Sequence, residues 1–283
     1  MRIDLHTHST ESDGTQAPAD VVASAREAGL DVLALTDHDT TRGWAAARGA
    51  AQAAGLGFVP GIEISCQRGG RSIHLLGYLV DPGNQALVTE LEQARRSRLT
   101  RMDRMVERMA ADGIPISIEE VRAQLAPGAT LGRPHLADAL VAAGVVPDRA
   151  AAFREWLHND SRYYVSHYAV DPVRAIALVA AAGGVSVIAH PFTGSRGRVL
   201  DPAVVLEMVD AGLDGLEVDH RDHDDAARDL ACSIVREHDL IATGSSDYHG
   251  AGKLNRLGEN ATSPEQFERI LAASTAGGYL PPG

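Results

Sequence analysis

Apolar residues occur along this chain in short runs bounded by turn-forming residues, a pattern typical of buried strands. Most runs are followed by alanine-rich stretches with helical periodicity, with Pro18 where the first helix would begin and Gly29 where it would end. Seven strands are predicted in this way: Ile3–Leu5, Val32–Leu35, Phe58–Ile64, Ile73–Val80, Val185–Ala189, Gly215–Val218 and Leu240–Thr243. Because alternating strands and helices favour parallel pairing, we predict an α/β fold, namely a β/α barrel of seven strands. A doubly wound open sheet is the alternative, since periodicity does not reveal closure.

The alternation of strand and helix stops over residues 82–160. This stretch begins with a long charged helical segment in which leucine and methionine recur at helical spacing. Further along, Ser117 and Glu120 have the spacing of a capping box at a helix start. We therefore expect a barrel formed by residues 1–81 and 161–283, and a helical insertion of residues 82–160 that covers one end of it.

The composition is that of an ordinary soluble globular protein, with 45% hydrophobic and 23% charged residues over 283 positions. There are 38 acidic and 26 basic residues, which gives a net charge of −12. This balance argues against broad electrostatic docking onto duplex DNA or an anionic membrane. It is compatible with a small anionic substrate, because bound divalent cations reverse the field of a carboxylate-rich site.

Two cysteines, Cys66 and Cys232, are too few for a disulfide framework or a cysteine-based zinc site. The chain opens without a basic and then apolar leader, and no apolar stretch reaches the roughly 20 residues that span a bilayer. We therefore expect a cytoplasmic protein without a membrane partner.

Histidines and carboxylates fall on the predicted strands or directly after them: His6, His8, Asp37, His38, Glu63, His74, His190, Glu217, Asp247 and His249. The carboxyl ends of parallel strands converge on one face, so these side chains are expected to meet in one cup. His6 and His8 project to the same side of an extended chain, and Asp13 in the following turn could add an oxygen ligand. Imidazoles combined with carboxylates suit divalent metal ions.

A purely structural role for the whole set is disfavoured, because so many charged groups converging without a metal would be costly to desolvate. A structural role is more plausible for His74, which lies within an apolar strand, and for His135, which lies in the insertion. His158, His167 and His238 have no partner pattern and are expected to be surface or packing residues.

With these motifs the chain resembles the polymerase-and-histidinol-phosphatase (PHP) family, and more closely its subgroup of nucleotide 3′,5′-bisphosphate phosphatases. The motifs that carry the resemblance span nearly the whole chain: Asp4-Leu5-His6-Thr7-His8-Ser9, Ser12-Asp13-Gly14, Leu35-Thr36-Asp37-His38-Asp39-Thr40, Gly61-Ile62-Glu63-Ile64-Ser65, His74-Leu75-Leu76-Gly77-Tyr78, Gly132-Arg133-Pro134-His135, Ala189-His190-Pro191, Gly215-Leu216-Glu217-Val218 and Ser246-Asp247-Tyr248-His249-Gly250.

The resemblance implies a distorted (β/α)7 barrel of the PHP type that holds two or three divalent ions. It implies a first ion bound by His6, His8, Glu63 and Asp247. It implies a second ion bound by Glu63, His74 and His135, and the shell of a further ion drawn from Asp13, His38, His190 and His249. Mn²⁺ is the first expectation, with Fe²⁺ or Zn²⁺ as alternatives, because this mixed donor set does not decide among them.

The implied activity is that of a phosphoric monoester hydrolase that removes the 3′-phosphate from nucleoside 3′,5′-bisphosphates, such as adenosine 3′,5′-bisphosphate. Trimming of short RNA from its 5′ end is the accompanying expectation. Water activated at the metal centre would replace a serine or cysteine nucleophile, and Asp37 or His190 would protonate the leaving oxygen.

A substrate with two phosphates needs a second anion site away from the metals. Arg133 stands at a predicted helix start, where free backbone N–H groups also favour anions. The other candidates are Arg196, Arg198, His223 and Lys253, in the loops that follow the fifth, sixth and seventh strands.

Two alternatives remain open at this point. One is another phosphomonoesterase of the same family, with histidinol phosphate as the obvious substrate. The other is a non-catalytic or proofreading PHP module, against which the complete ligand set argues. The expected partners are a small nucleotide and short RNA ends, without duplex DNA, and the oligomeric state is open.

Overall fold

The computed structural model of the chain describes residues 1–126, 129–193 and 199–283. Its strands form one seven-stranded sheet in sequence order: β1 (Ile3–Asp4), β2 (Val32–Leu35), β3 (Gly57–Arg68), β4 (Arg71–Tyr78), β5 (Val185–Ile188), β6 (Gly215–Asp219) and β7 (Ile241–Gly244). Just beyond β1 and β7, a bridge between Thr7 and Tyr248 joins the two edges of the sheet. The sheet is therefore a nearly closed barrel, and its sequential strand order excludes the doubly wound alternative.

Ten α-helices occur in the described residues: α1 (Pro18–Glu27), α2 (Trp44–Ala54), α3 (Gln85–Ala111), α4 (Ile118–Arg122), α5 (Arg133–Ala142), α6 (Arg149–Glu155), α7 (Pro172–Ala181), α8 (Pro202–Asp210), α9 (Asp225–Glu237) and α10 (Pro264–Ala273). Pro18 occupies the first turn of α1 and Gly29 follows its end with φ +73°, as predicted. Ser117 and Glu120 form the predicted capping box at α4. None of these helices combines the length and the apolar character that crossing a bilayer requires.

The fourth strand departs from the predicted all-parallel pairing, which is wrong here. β4 pairs antiparallel with both β3 and β5. The cause is the two-residue link Gly69–Gly70, with φ +57° and +77°, which makes a hairpin and leaves no room for a crossover helix. As a result the beginning of β4 lies beside the end of β3, where His74 pairs with Ser65. His74 thus reaches the same face as the carboxyl ends of the parallel strands.

Separate hydrophobic clusters fill the barrel and pack around α3–α6. Inside the barrel, apolar side chains such as Leu5, Val59 and Leu76 form one buried cluster. A second cluster runs from Met102 to Val165 and is formed by the helices and loops of the 82–160 region and its flank. The 82–160 region thus has a hydrophobic core of its own, and this supports our proposal that the chain divides into a barrel and a helical insertion.

Candidate metal centre

The loop after β1 directs two histidines into the barrel mouth. Thr7 points the other way, and its hydroxyl donates to the carbonyl oxygen of Ala34 at 2.6 Å. Asp4, fully buried, accepts the backbone N–H of Ser246 at 3.0 Å and thereby joins this loop to the one after β7. The period-two geometry of an extended chain thus places His6 and His8 on one side, their Nε2 atoms 3.0 Å apart.

Four side chains from both ends of the chain form the first cluster. Glu63 Oε2 lies 3.2 Å from His6 Nε2 and 3.0 Å from His8 Nε2. Asp247 Oδ1 lies 3.5 Å from the same two nitrogens. Ligand bonds of about 2.0–2.1 Å in a tetrahedron place neighbouring ligand atoms about 3.3–3.4 Å apart. The observed spacing therefore fits a common divalent ion, and all four side chains are buried.

Two further clusters share members with the first. His38, Glu63 and His74 form one, and His8, Asp13, His38 and His249 form the other. Glu63 uses both oxygens, since Oε1 lies 2.6 Å from His74 Nδ1 and Oε2 lies 3.2 Å from His38 Nδ1. That nitrogen of His38 is buried without a hydrogen-bond partner. An orphaned imidazole nitrogen facing a carboxylate indicates a position suited to a bridging cation.

The clustered groups control one another's protonation. Burial alone would lower the pKa of His6 and His8, but the surrounding carboxylates raise both, that of His8 to about 9. Burial and the charge of Lys253 lower the pKa of His249 to about 4. Burial would raise the pKa of Glu63, yet neighbouring histidines hold it well below its ordinary value. Without an ion, protonated imidazoles balance the ionised carboxylates, and a divalent cation would displace those protons.

Glu217, at the end of β6, orients two of the histidines. Its Oε1 accepts from His6 Nδ1 at 3.2 Å and from the Ser245 hydroxyl. Its Oε2 accepts the backbone N–H of His190 at 2.8 Å. Burial would raise the pKa of Glu217, but the charge of His6 and their hydrogen bond lower it to about 2. This carboxylate therefore fixes the proton of His6 on Nδ1 and leaves Nε2 available to a metal.

The backbone is strained where the cup is assembled. Asp39, His190 and Asp247 have φ values of +53°, +36° and +52°, in the left-handed region that side chains disfavour. Asp39 is tied down by hydrogen bonds from the Ser65 N–H at 2.8 Å and from Arg98 Nε at 3.0 Å. Such strain costs roughly 1–3 kcal/mol per residue and persists where surrounding contacts over-determine the geometry, as they do in functional sites.

Eight of the ten predicted metal ligands lie in the three clusters. His190 is adjacent, with Nε2 3.3 Å from Glu63 Oε1. His135 is outside the three clusters: its Nδ1 accepts the N–H of Gly132 at 3.0 Å and caps α5, so its predicted share in the ion of His74 stays a prediction. The charge of Asp13 acts on its ring, so His135 belongs to the Asp13 side of the cup.

Asp37, a predicted proton donor, lies behind the cup. Its carboxylate accepts from the backbone N–H of Ser9 at 2.8 Å, from the Ser9 hydroxyl at 2.7 Å and from the Ser12 hydroxyl at 2.6 Å. Three hydrogen bonds to one small loop favour a positioning role, in which Asp37 holds the segment between His8 and Asp13.

The predicted phosphate-binding residues have different environments. Lys253 lies at the rim and pairs with Asp247 Oδ2 at 2.6 Å. His223 is buried, and both ring nitrogens are engaged by backbone: Nδ1 with Val218 O at 2.8 Å and Nε2 with the Phe192 N–H at 3.3 Å. That leaves no nitrogen of His223 for phosphate. Arg133 Nη1 donates to Leu157 O at 2.6 Å and to Asn159 Oδ1 at 2.9 Å. The other two, Arg196 and Arg198, lie outside the described residues.

His220, a buried neighbour of the cup, was not among the predicted site residues. Its Nδ1 accepts the N–H of Asp222 at 3.1 Å, so the proton of the neutral ring lies on Nε2. That atom is 3.6 Å from Asp247 Oδ2 and has no hydrogen-bond partner. The position after a strand end was the available signal, but a histidine pair in a turn also occurs in solvated loops.

A barrel with imidazoles and carboxylates gathered at its mouth defines a metal-dependent hydrolase. The sequence profile of the PHP domain family matches residues 4–102. Over 90% of its length the chain is 36% identical to the 3′,5′-nucleoside bisphosphate phosphatase of Chromobacterium violaceum, 89% of which is covered. It is 32% identical to a 5′-3′ exoribonuclease of Haemophilus influenzae, over 92% of this chain and 94% of that protein.

Solved structures agree with these relatives. A protein from Bifidobacterium adolescentis, taken to be a metal-dependent phosphoesterase, superposes with a TM-score of 0.93 and 41% identity over 96% of both chains. The chain thus belongs to the PHP domain family and is a metal-dependent phosphoesterase.

Proposed function

We propose that this protein removes the 3′-phosphate from nucleoside 3′,5′-bisphosphates, with trimming of 5′-phosphorylated short RNA as a related activity. The observation that carries the proposal is the placement of Glu63 within 3.3 Å of five imidazoles, those of His6, His8, His38, His74 and His190. Relatives that act on nucleoside bisphosphates and on RNA cover about nine-tenths of this chain, which supports the same substrate class.

The ligand assignment follows the three clusters. His6, His8, Glu63 and Asp247 would hold one ion, Glu63 with His38 and His74 a second, and Asp13 with His8, His38 and His249 a third. Divalent ions at these positions, Mn²⁺ by our assignment, supply Lewis acidity and charge neutralisation for hydrolysis of a phosphate ester. A cytoplasmic location stays a prediction.

The protein's own groups would orient this centre and handle the leaving oxygen. Glu217 holds His6 in one tautomer and fixes the backbone of His190. The imidazole of His190 lies beside the first cluster, with Nε2 3.3 Å from Glu63 Oε1, and this nitrogen would donate a proton to the departing 3′ oxygen. Lys253 at the rim would contribute positive charge near Asp247.

The decisive experiment compares substrates on the Mn²⁺-loaded protein. We expect phosphate release from adenosine 3′,5′-bisphosphate to have a kcat/KM well above that for histidinol phosphate. Chelation should abolish turnover, and added Mn²⁺ should restore it. Faster turnover of histidinol phosphate would instead identify a different phosphomonoesterase of this family.

A paired set of variants tests the metal centre itself. Glu63→Gln keeps the side-chain volume but removes the negative charge that faces the five surrounding imidazoles. We therefore expect metal content to fall and kcat to drop by about 10³-fold or more. Glu259→Gln alters a surface ion pair with Arg221 and serves as the matched control. Wild-type metal content and rate in Glu63→Gln would contradict the assigned centre.

A further inference from the structure

Four basic side chains converge where the α3–α6 helices meet the barrel mouth. Arg98 and Arg101 come from α3, Arg133 from the start of α5, and His167 from the segment that returns to the barrel. The guanidinium carbons of Arg101 and Arg133 lie 5.1 and 5.5 Å from the centre of the same Tyr164 ring. Two cationic groups therefore contact one ring, and the charge of Arg133 acts on Arg101.

Arg101 is a buried cation without a matching anion. Arg101 is only 5% exposed, and its Nε atom is buried without a hydrogen-bond partner. Within the described part of the chain it makes no ion pair, whereas Arg98 pairs with Asp39 at 3.0 Å. Burial and the charges of Arg133 and Arg98 lower the pKa of Arg101 to about 9. A buried positive charge of this kind is costly unless an anion compensates it.

His167 adds an unused donor to the same place. Its Nδ1 lies 3.5 Å from Arg101 Nη1 and accepts from it. Burial and the neighbouring arginines lower the pKa of His167 to about 2, so the ring is neutral and carries its proton on Nε2. That atom is buried without a hydrogen-bond partner. Two buried donors without hydrogen-bond partners suit an anionic ligand.

The site lies beside the metal cup. The N–H of Gln67, at the end of β3, donates to Val170 O at 2.9 Å and docks the returning segment against that strand. The charge of His74 also acts on His167. Arg98 reaches Asp39, the residue after His38. These contacts place the basic group at the β3 and β4 side of the cup.

We propose that Arg101, Arg133 and His167 form a second anion site that binds the phosphate monoester of the substrate that is not hydrolysed. Two guanidinium groups match the charge of roughly −2 on a phosphate monoester, and their forked donors match its oxygens. This inference rests on the proposed function, and it assigns the 5′-phosphate of a nucleotide, or of a 5′-phosphorylated RNA end, to these residues.

The test measures both binding and selectivity on the Mn²⁺-loaded full chain. For wild type we expect AMP to bind more tightly than adenosine by calorimetry, and adenosine 3′,5′-bisphosphate to be preferred over adenosine 3′-phosphate in kcat/KM. Arg101→Gln should weaken AMP binding and lower that kcat/KM ratio by about 10–150-fold, the size of one or two lost charged hydrogen bonds. Arg101→Gln should also lower the rate at which a 5′-phosphorylated dinucleotide is cleaved.

Thermal unfolding provides a readout that does not depend on turnover. Arg101→Met should unfold at the same or a higher temperature than wild type without ligand, because an uncompensated charge is removed, and should lose the stabilisation by AMP. His167→Phe keeps the ring but removes the donor, and should weaken AMP binding in the same direction. Arg104→Gln, on the exposed face of α3, is the matched control and should behave as wild type.

The outcomes separate the two claims. If wild type prefers the bisphosphate and Arg101→Gln retains both the preference and the AMP affinity, the anion site is refuted while the proposed function stands. If wild type shows no preference for the second phosphate, the proposed function fails. AMP-dependent stabilisation that is lost in Arg101→Gln supports the site in either case.

Discussion

Replacing Glu217 with glutamine tests whether this carboxylate sets the affinity of the metal centre. Glu217 accepts from His6 Nδ1 at 3.2 Å, from the His190 N–H at 2.8 Å and from the Ser245 hydroxyl. Glutamine has one oxygen and one amide nitrogen in the same volume. Whichever way the amide turns, its NH₂ group faces a donor, either the ring of His6 or the backbone of His190.

The magnitude follows from that mismatch. One buried donor left unpaired costs about 1–3 kcal/mol, which corresponds to about 5–150-fold in an equilibrium constant. The loss should appear in metal binding, because His6 loses the partner that fixes a proton on Nδ1 and directs Nε2 to the metal. Outer partners of metal-bound histidines typically contribute about 10–100-fold. We therefore expect Glu217→Gln to weaken Mn²⁺ binding by one to two orders of magnitude.

Calorimetric Mn²⁺ titration of the metal-free protein is the assay, with metal content after gel filtration as an independent check. Glu259→Gln, which disturbs the surface pair with Arg221 at 2.8 Å, should leave Mn²⁺ affinity unchanged. The reasoning is refuted if Glu217→Gln folds and binds Mn²⁺ as tightly as wild type.

Four further predictions concern protonation and packing. The pKa values of His6 and His8 are raised, that of His8 to about 9, so binding of the ion held by these two histidines at pH 7 should release about two protons. Calorimetry in buffers of different ionisation enthalpy measures this number, and a release of less than one proton would contradict the prediction. Because the folded state raises the pKa of His8, protonated His8 stabilises the metal-free fold fully below the unfolded pKa near 6.5. The melting temperature of the metal-free protein should therefore fall as the pH rises through about 9. Tyr78→Phe should leave the free energy of unfolding in urea unchanged or raise it by about 1 kcal/mol, because the buried hydroxyl has no hydrogen-bond partner; a marked loss would reveal one. Gly14→Ala should lower the free energy of unfolding by about 1–3 kcal/mol and weaken metal binding, because the added Cβ would lie 2.5 Å from the His8 carbonyl oxygen. Gly49→Ala in α2 meets no atom within 4 Å and should raise the free energy of unfolding by about 0.5–1 kcal/mol. Equal effects of the two substitutions in urea unfolding would contradict this difference.

The strand positions and the clustered ligands could be predicted because both depend on local pattern. Apolar runs marked every strand, and polar residues at their ends marked the cup. The reversed direction of β4 was missed, because an apolar run reads the same in either direction and the Gly69–Gly70 link was the only local signal. His74 was nevertheless placed in the cup, since reversal brings the start of β4 to the end of β3.

The supporting groups were harder to foresee, because their roles depend on burial and on partners distant in sequence. Arg101 stands in a charged helix where an arginine is ordinarily solvated, and nothing in its neighbours reveals that it lacks an anion. His167 was expected to be a surface or packing residue, but its proton faces no partner. The carboxylate of Glu217 was visible at a strand end, while its two histidine partners emerge only in three dimensions.

The contacts that join the β1 and β7 edges of the sheet make the metal centre depend on completion of the whole polypeptide. Asp4 accepts the N–H groups of Ser246 and Gly258, so the first loop of the cup gains these contacts only after the last quarter of the chain has been synthesised and has docked. Until then, His6 and His8 lack Asp247 as a neighbour. A nascent or truncated protein without the residues after β7 therefore has an incomplete donor set, and we expect full metal affinity only in the finished barrel.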